Sequence, residues 1–307
     1  MSAQLERLAA RLYPEPGEAG RFVAAVRAGG SGRRVAAWAG AAPPVGGQLP
    51  GWLPGWVGAA AGAGEAGYVL DLSSVWAMAV VTAVGGPVRR LLDLCAAPGG
   101  KSVVAARWLR PGLHVANELV PKRLGILRHN LARCGVAAFT QRLRPEWWAE
   151  HCAGGFDLVL VDAPCSGQSL PARGVRNPGC FHPAVVAGNA RRQRGVLARA
   201  AAAVAPGGHL VYATCTYSLE ENERVVRWFL KGREEWSAVA VPALADWRSP
   251  HAAEPCHRLG PHHGLGAGGF VALLRRGGEP GQLPGLPAEV CAWPVAPGAA
   301  APGTRTG

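Results

Sequence analysis

RLLDLCAAPGGK, residues 90–101, is the stretch that decides the fold of this 307-residue chain. Arg90 to Leu94 predicts a short strand, Cys95 to Gly100 a tight loop, and Lys101 to Leu109 the helix that follows. Paired glycines between a strand and a helix let the backbone approach a ligand closely and aim the amides of the helix start at it. The loop is not the G-x-G-x-x-G of dinucleotide enzymes, although a strand, a Gly loop and an acid could serve a dinucleotide equally well.

Outward from that loop the pattern repeats. Leu113 to Asn117 predicts a second strand, and Pro121 to Cys134 a helix with Pro at its first position and Gly135 just past its end. Phe156 to Val161, FDLVLV, is nearly all apolar, as expected of a strand buried on both faces. Asn189 to Val204 predicts a helix, Gly208 to Tyr212 a strand, Leu219 to Leu230 a helix, and Gly269 to Leu274 a late strand. Strands alternating with helices imply an α/β fold, a mostly parallel sheet with helices on both faces. In such sheets ligands collect at the carboxyl ends of the strands, and three chemically loaded segments fall there: Cys95 to Lys101, Asp162 to Gly167, and Ala213 to Ser218.

The expected organisation has three parts. Residues 1–66 form a small extension of helices and linkers, opened by an amphipathic helix (Leu5, Leu8, Leu12) and closed by a Gly/Pro/Ala-rich run through Gly62 to Gly64. Residues 67–276 form the catalytic unit. Residues 277–307, ending in APGTRTG, are a Gly/Pro/Ala-rich tail, expected to be disordered or loosely docked.

Thirty-two Lys and Arg against 20 Asp and Glu leave a net charge of +12, which favours an anionic partner such as nucleic acid. Only Lys101, Lys122 and Lys231 are lysines, so the arginine excess reads first as compositional bias. The apolar runs are shorter than the roughly 20 residues a membrane helix needs, and the N-terminus is too polar for a secretory signal. A cytoplasmic protein is expected. The 8 cysteines stand singly, without a C-x-x-C pair, which excludes a zinc cluster or a disulfide framework as the organising device. The adjacent His262 and His263 of PHH read as loop residues rather than ligands, and no metal is expected.

DAPCSG, residues 162–167, puts a carboxylate, a Pro-rigid turn and a thiol at one strand end, and ATCT, residues 213–216, puts a second thiol at another. A single Cys is usually an apolar filler; two strand-end thiols beside one acid are not. Methyl transfer to a pyrimidine ring carbon needs this set. Carbon 5 of cytosine is too weak a nucleophile to attack a methylsulfonium, so a thiolate must first add to carbon 6. An acid beside the ring, Asp162 with its pKa raised by burial, would bond N3 and neutralise the charge that develops. After methylation the carbon-5 proton leaves and the thiol is eliminated, a step a second Cys could assist. Glu118, at the end of the second strand, stands where a carboxylate can accept both ribose hydroxyls of a nucleoside cofactor; the alternative is an acid at a helix start, facing water.

DLCAAPGGK, FDLVLVDAPCSG, PGGHLVYATCTYSLEENE and RLGPHHGLGAGGFVALLRR, in that order, resemble the signatures of the NOL1/NOP2/Sun family of RNA cytosine-5 methyltransferases, and YVLDLSSVWAMAVV upstream is similar to the segment that precedes them. The match spans Tyr68 to Arg276. The resemblance implies a Rossmann-like class I methyltransferase fold, S-adenosylmethionine as cofactor, rRNA or tRNA as partner, and a chain acting as a monomer. It places the cofactor on Cys95, Ala96, Ala97, Pro98, Gly99, Gly100, Lys101, Glu118 and Asp162, the nucleophile on Cys215, and the release Cys on Cys165. One departure is visible: the family's acid at the end of the third strand falls near Leu143, where there is none, leaving Glu146 or backbone groups to hold the adenine. That gap motivates the alternative of an inactive RNA-binding or ribosome-assembly factor; a uracil carbon-5 methylase is a third reading.

Three further expectations concern helices and loops. Ser218 with Glu221 fits a capping box opening the Leu219 helix. The run from Gly167 to Pro183 suits a loop over RNA, with Arg173 and Arg176 on the backbone and Phe181 as a stacking ring. Arg191 to Gly195, RRQRG, either touches phosphate or forms an exposed helix face.

Overall fold

The structure, a computed structural model, describes residues 2–38, 50–60 and 67–295. The glycine run through Gly62 to Gly64 and the terminal APGTRTG lie outside the described residues. In chain order the elements are α1 (Ser2–Leu12), α2 (Pro16–Ala28), β1 (Arg34–Trp38), β2 (Val57–Ala59), β3 (Gly67–Asp71), α3 (Leu72–Met78), β4 (Arg90–Asp93), α4 (Gly100–Leu109), β5 (Leu113–Asn117) and α5 (Pro121–Arg133). They continue with β6 (Ala138–Gln141), α6 (Pro145–His151), β7 (Phe156–Asp162), α7 (Pro183–Ala203), β8 (Val204–Thr214), α8 (Glu223–Leu230), β9 (Trp236–Ala238), β10 (His257–Leu259), β11 (Gly269–Arg276) and β12 (Pro294–Val295).

The large sheet runs β10-β11-β8-β7-β4-β5-β6-β12, with β9 beside β11. The pairs β6-β5-β4-β7-β8 are parallel, while β11 and β12 close the two sides antiparallel. The first long crossover strand, β4, is therefore central, and the chain leaves it in opposite directions toward β5 and β7. That reversal is the topological switch point where a crevice opens in a Rossmann-like sheet. Parallel strands must be covered on both faces, and β7 shows the consequence: Phe156 and Leu158 to Val161 are all buried. One apolar cluster gathers Trp76, Leu91, Val103 and Leu127 on one face; the other gathers Trp148, Val159, Leu197 and Phe229.

Several boundaries move for physical reasons. Helix α7 starts at Pro183, ahead of the expected Asn189, because Pro sits at its first position and the His182 ring accepts the Ala184 N–H. Helix α8 starts at Glu223, four residues later than expected. Residues 219–222 are withheld from it because the Asn222 side chain accepts from Thr214 Oγ1 at 2.6 Å and donates to the Thr216 carbonyl at 2.9 Å. The capping box is correspondingly corrected. Ser218 Oγ accepts from the Glu221 N–H at 3.4 Å, but the Glu221 carboxylate turns inward to Ser166.

The N-terminal segment holds more than helices and linkers: β1 pairs antiparallel with β2 and with β3, and β3 opens the segment expected to be catalytic. In the tail, residues 277–295 are docked rather than loose. Arg89 and Arg90 hold the carbonyls of Gly281 and Pro284, and Gln141 Nε2 donates to Glu289 and Val290. Strand β12 then extends the sheet beyond β6.

Helices α1 and α2 pack as a pair. Leu5, Leu8, Leu12, Phe22 and Val26 share an apolar cluster with Ala172, Cys180, Phe181 and Tyr217, so the N-terminal hairpin leans on the loop that follows β7. Phe22 is fully buried and meets the Tyr217 ring edge-on at 4.9 Å. Phe22→Ala should therefore cost about 3 kcal/mol of unfolding free energy, the range for deleting a core aromatic. Urea unfolding checks this, and a loss below about 1 kcal/mol would mean that the hairpin does not share the core.

Candidate active site

The loop after β4 is built as the glycines require. Gly99 has φ +113°, a region that side-chain-bearing residues avoid, and a Cβ there would press on Leu127 at 3.2 Å. A Cβ on Gly100, the first residue of α4, would meet the Tyr68 ring at 3.1 Å. Side chains of α5 fasten the loop from behind: Arg123 donates to the Ala97 carbonyl at 2.6 Å and Asn130 to that of Pro98 at 2.8 Å. Beneath the loop, Asp93 is fully buried and accepts from Ser102 Oγ at 2.6 Å. Loss of water pushes its carboxyl up to about 7, against the opposing pull of Ser102.

Parallel pairing brings the two thiol segments together. Register places Asp162 of β7 opposite Ala213 of β8, and the ladder continues past both strands as Ala163 N–H to Ala213 O and Ser169 N–H to Cys215 O. Cys165 and Cys215 consequently face each other with 3.3 Å between sulfurs. The hydrogen bond between the two thiols and the nearby Lys101 ammonium lower the Cys215 thiol below its ordinary value, against burial and Asp162. Cys165 is held well above its ordinary value by that same bond and by burial.

Lys101 Nζ lies 2.8 Å from Asp162 Oδ2. Asp162 was expected to be a buried acid. Its side chain is 31% exposed and paired with an ammonium, so pairing replaces the burial anticipated from the sequence.

These groups line one cavity of about 610 Å³. Cys95 to Pro98 and Gly100 form one side, Lys101, Asp162, Cys165 and Cys215 the other. Gly99 and Glu118 are not in the lining. Glu118 is buried at the end of β5, where it accepts the Val120 N–H at 2.9 Å and pairs with Arg123 at 3.3 Å. Arg123, which does line the cavity, was not singled out in the sequence; its only signal was a position one turn into a helix beginning just after Glu118.

Other expectations resolve by location. Phe181 is buried against the N-terminal helices, so the stacking role read for it is withdrawn. Arg173 and Arg176 are exposed, and Arg173 reaches the cavity. On α7, Arg191 and Arg192 are exposed, while Arg194 lies over the Trp228 ring at 5.6 Å. Near the absent third-strand acid, the Leu143 N–H donates to Asn117 Oδ1, and Glu146 is drawn away to Arg199 at 2.6 Å. His262 sits among the rings of Tyr13, Phe22 and His263, beside Glu18, and His263 Nδ1 accepts the Gly260 N–H. No helix among the described residues is long and apolar enough to cross a membrane.

Comparison with known proteins places this geometry. The chain is 33% identical over 237 residues to the ribosomal RNA small subunit methyltransferase F of Klebsiella pneumoniae, covering 75% of this chain and 49% of that protein. It is 36% identical over 164 residues to the same-named protein of Escherichia coli, covering 52% of this chain and 34% of that protein. The chain thus spans about half the length, or less, of these curated relatives. Among solved structures, NSun6 from Pyrococcus horikoshii with SFG aligns with a TM-score of 0.60 at 27% identity, over 72% of this chain and 56% of that one. A methyltransferase homologue from the same organism aligns with a TM-score of 0.66 at 22% identity, over 89% of this chain and 98% of that one, and supports the Rossmann-like methyltransferase fold. Residues 86–275, which carry the loop, Asp162, Cys165 and Cys215, match the family described as 16S rRNA methyltransferase RsmB/F, and the chain belongs to that family.

Proposed function

We propose that this chain transfers a methyl group from S-adenosylmethionine to carbon 5 of a cytosine in structured RNA, rRNA or tRNA, through a transient bond between Cys215 and carbon 6. The observation that carries the proposal is the polarised thiol pair, Cys165 and Cys215 at 3.3 Å, opening into the same cavity as the Lys101–Asp162 pair. Amino-group methylation needs no thiol; addition to a pyrimidine does.

The residues present suit the cofactor. The side-chain-free Gly99–Gly100 turn at the start of α4 lets backbone amides approach an anionic or polar group, and Gly100 lines the cavity. Glu118, the carboxylate assigned to the ribose hydroxyls, lies behind the cavity lining on Arg123, which does line it, and the third-strand end offers apolar Leu143 and backbone rather than an acid. When bound, the cofactor supplies an electrophilic methyl group.

The chain's own groups account for the remaining steps. Cys215 Sγ, the sulfur favoured as thiolate, adds to carbon 6 and makes carbon 5 nucleophilic. Negative charge that spreads to N3 and O2 meets the Lys101 ammonium, which Asp162 holds in place at 2.8 Å. Carbon 5 takes the methyl group and then gives up its proton to a water in the cavity; the electron pair of that C–H bond re-forms the ring double bond and expels Cys215 as thiolate. Cys165, adjacent to the departing sulfur, assists that release by ordering the water that takes the proton. The net charge of +12, with Arg173 and Arg176 exposed at the cavity mouth and on the neighbouring loop, supplies salt-sensitive affinity for phosphates. A target base must leave its stack to enter the cavity. Both thiols and the Lys–Asp pair would be needless in an inactive assembly factor, which favours the enzyme.

Cys215→Ala should lower transfer of labelled methyl groups to small-subunit rRNA by about 1000-fold or more, with cofactor and RNA affinities within about threefold of wild type. Turnover close to wild type would remove Cys215 as nucleophile. Cys165→Ala should accumulate a cofactor-dependent protein–RNA conjugate through Cys215, seen as a slow band on denaturing gels. If no such band forms while transfer continues at the normal rate, Cys165 has no part in release. Bisulfite sequencing of the modified RNA identifies the base.

A further inference from the structure

Glu221 is fully buried, and its carboxylate is bonded to both thiol loops. It accepts from the Ser166 N–H at 2.9 Å, from Ser166 Oγ at 2.5 Å, from Gln193 Nε2 at 3.0 Å and from Thr216 Oγ1 at 3.4 Å. Ser166 directly follows Cys165, and Thr216 directly follows Cys215. Their hydroxyls also bond each other at 2.9 Å. Gln193 donates a second bond to the Pro164 carbonyl, so the peptide units on both sides of Cys165 are tied to this one cluster. The bonds are unequal: Glu221 accepts two from Ser166, beside Cys165, and one longer one from Thr216, beside Cys215, whereas the Lys101 ammonium acts on Cys215.

We infer that Glu221 is a positioning residue which locks the two cysteine loops face to face and, by its negative charge beside Cys165, keeps the shared proton there, so that Cys215 is the reactive thiolate. The inference rests on the proposed reaction, because it explains why one of two nearly equivalent thiols is the nucleophile. Burial raises the Glu221 carboxyl and its Ser166, Gln193 and Thr216 donors oppose that rise; its charge in turn raises Cys165. A carboxylate so placed stabilises a neighbouring thiol in its protonated form.

The test is differential alkylation with iodoacetamide at neutral pH, without RNA or cofactor, read by mass spectrometry as the ratio of label on Cys215 to label on Cys165. Wild type should label mainly at Cys215. Glu221→Gln, confirmed as folded by a cooperative thermal transition, should lower that ratio about fivefold or more, and lower kcat about tenfold with KM for RNA within about threefold. A folded Glu221→Gln protein with an unchanged ratio overturns the inference. Should that variant fail to fold, Ser166→Ala removes one bond to the carboxylate with little change in volume, and must lower the same ratio about twofold; an unchanged ratio there overturns it equally. Because the labelling needs neither substrate nor cofactor, a protein that alkylates as expected but methylates no RNA would refute the proposed reaction and leave the thiol ordering standing.

Discussion

Everything at this site depends on one backbone constraint: β7 and β8 are parallel neighbours whose register sets Asp162 opposite Ala213. Loops of unlike length leave the two strand ends, yet the ladder persists through Ala163 and Ser169, and this holds Cys165 and Cys215 at 3.3 Å. A slip in that pairing would separate the sulfurs by the rise of a residue, about 3.3 Å, and abolish the proton sharing that makes them unlike. The thiol pair is therefore a property of sheet register as much as of two side chains.

The rest of the fold supports that register from three directions. Apolar residues cover both faces of β7 and β8, so neither strand can shift without exposing core. Helices α1 and α2 brace the loop between Ser169 and Phe181, which continues from the first thiol. On the far side, the Gly99–Gly100 turn, Arg123 and Glu118 shape the other half of the cavity around the β4 switch point. The glycine turn and the thiol pair are thus placed on strand ends of one sheet.

Much of this was legible in the sequence because buried parallel strands read as apolar runs and the reactive residues follow them directly: FDLVLV ended by Asp162, and LVYAT ended by Cys215. Where tertiary partners decide, the sequence was silent or misleading. Ser218-x-x-Glu221 satisfies a local capping pattern as written, and its real partner, Ser166, is 55 positions away in the chain. Phe181 looked like an exposed ring in a polar loop until the N-terminal helices covered it. Strands β1 and β2 are held by main-chain pairing, and the tail at 277–295 by side chains of Arg89, Arg90 and Gln141 that reach its carbonyls, partners which a Gly/Pro/Ala composition conceals. Asp162 was recognised, but its pairing with Lys101 could not be inferred from spacing, since the two stand 61 residues apart.

The covalent role proposed for Cys215 has a direct chemical trap. In a small-subunit rRNA transcript carrying 5-fluorocytidine, the fluorine on carbon 5 cannot depart as a proton does, so a ring that has accepted both sulfur and methyl stays attached to the protein. Mass spectrometry of the wild-type protein incubated with that transcript and S-adenosylmethionine should find a methylated pyrimidine on Cys215 Sγ, formed only when the cofactor is present. Attachment at Cys165 instead, or methylated RNA released with no attached species, would contradict the account.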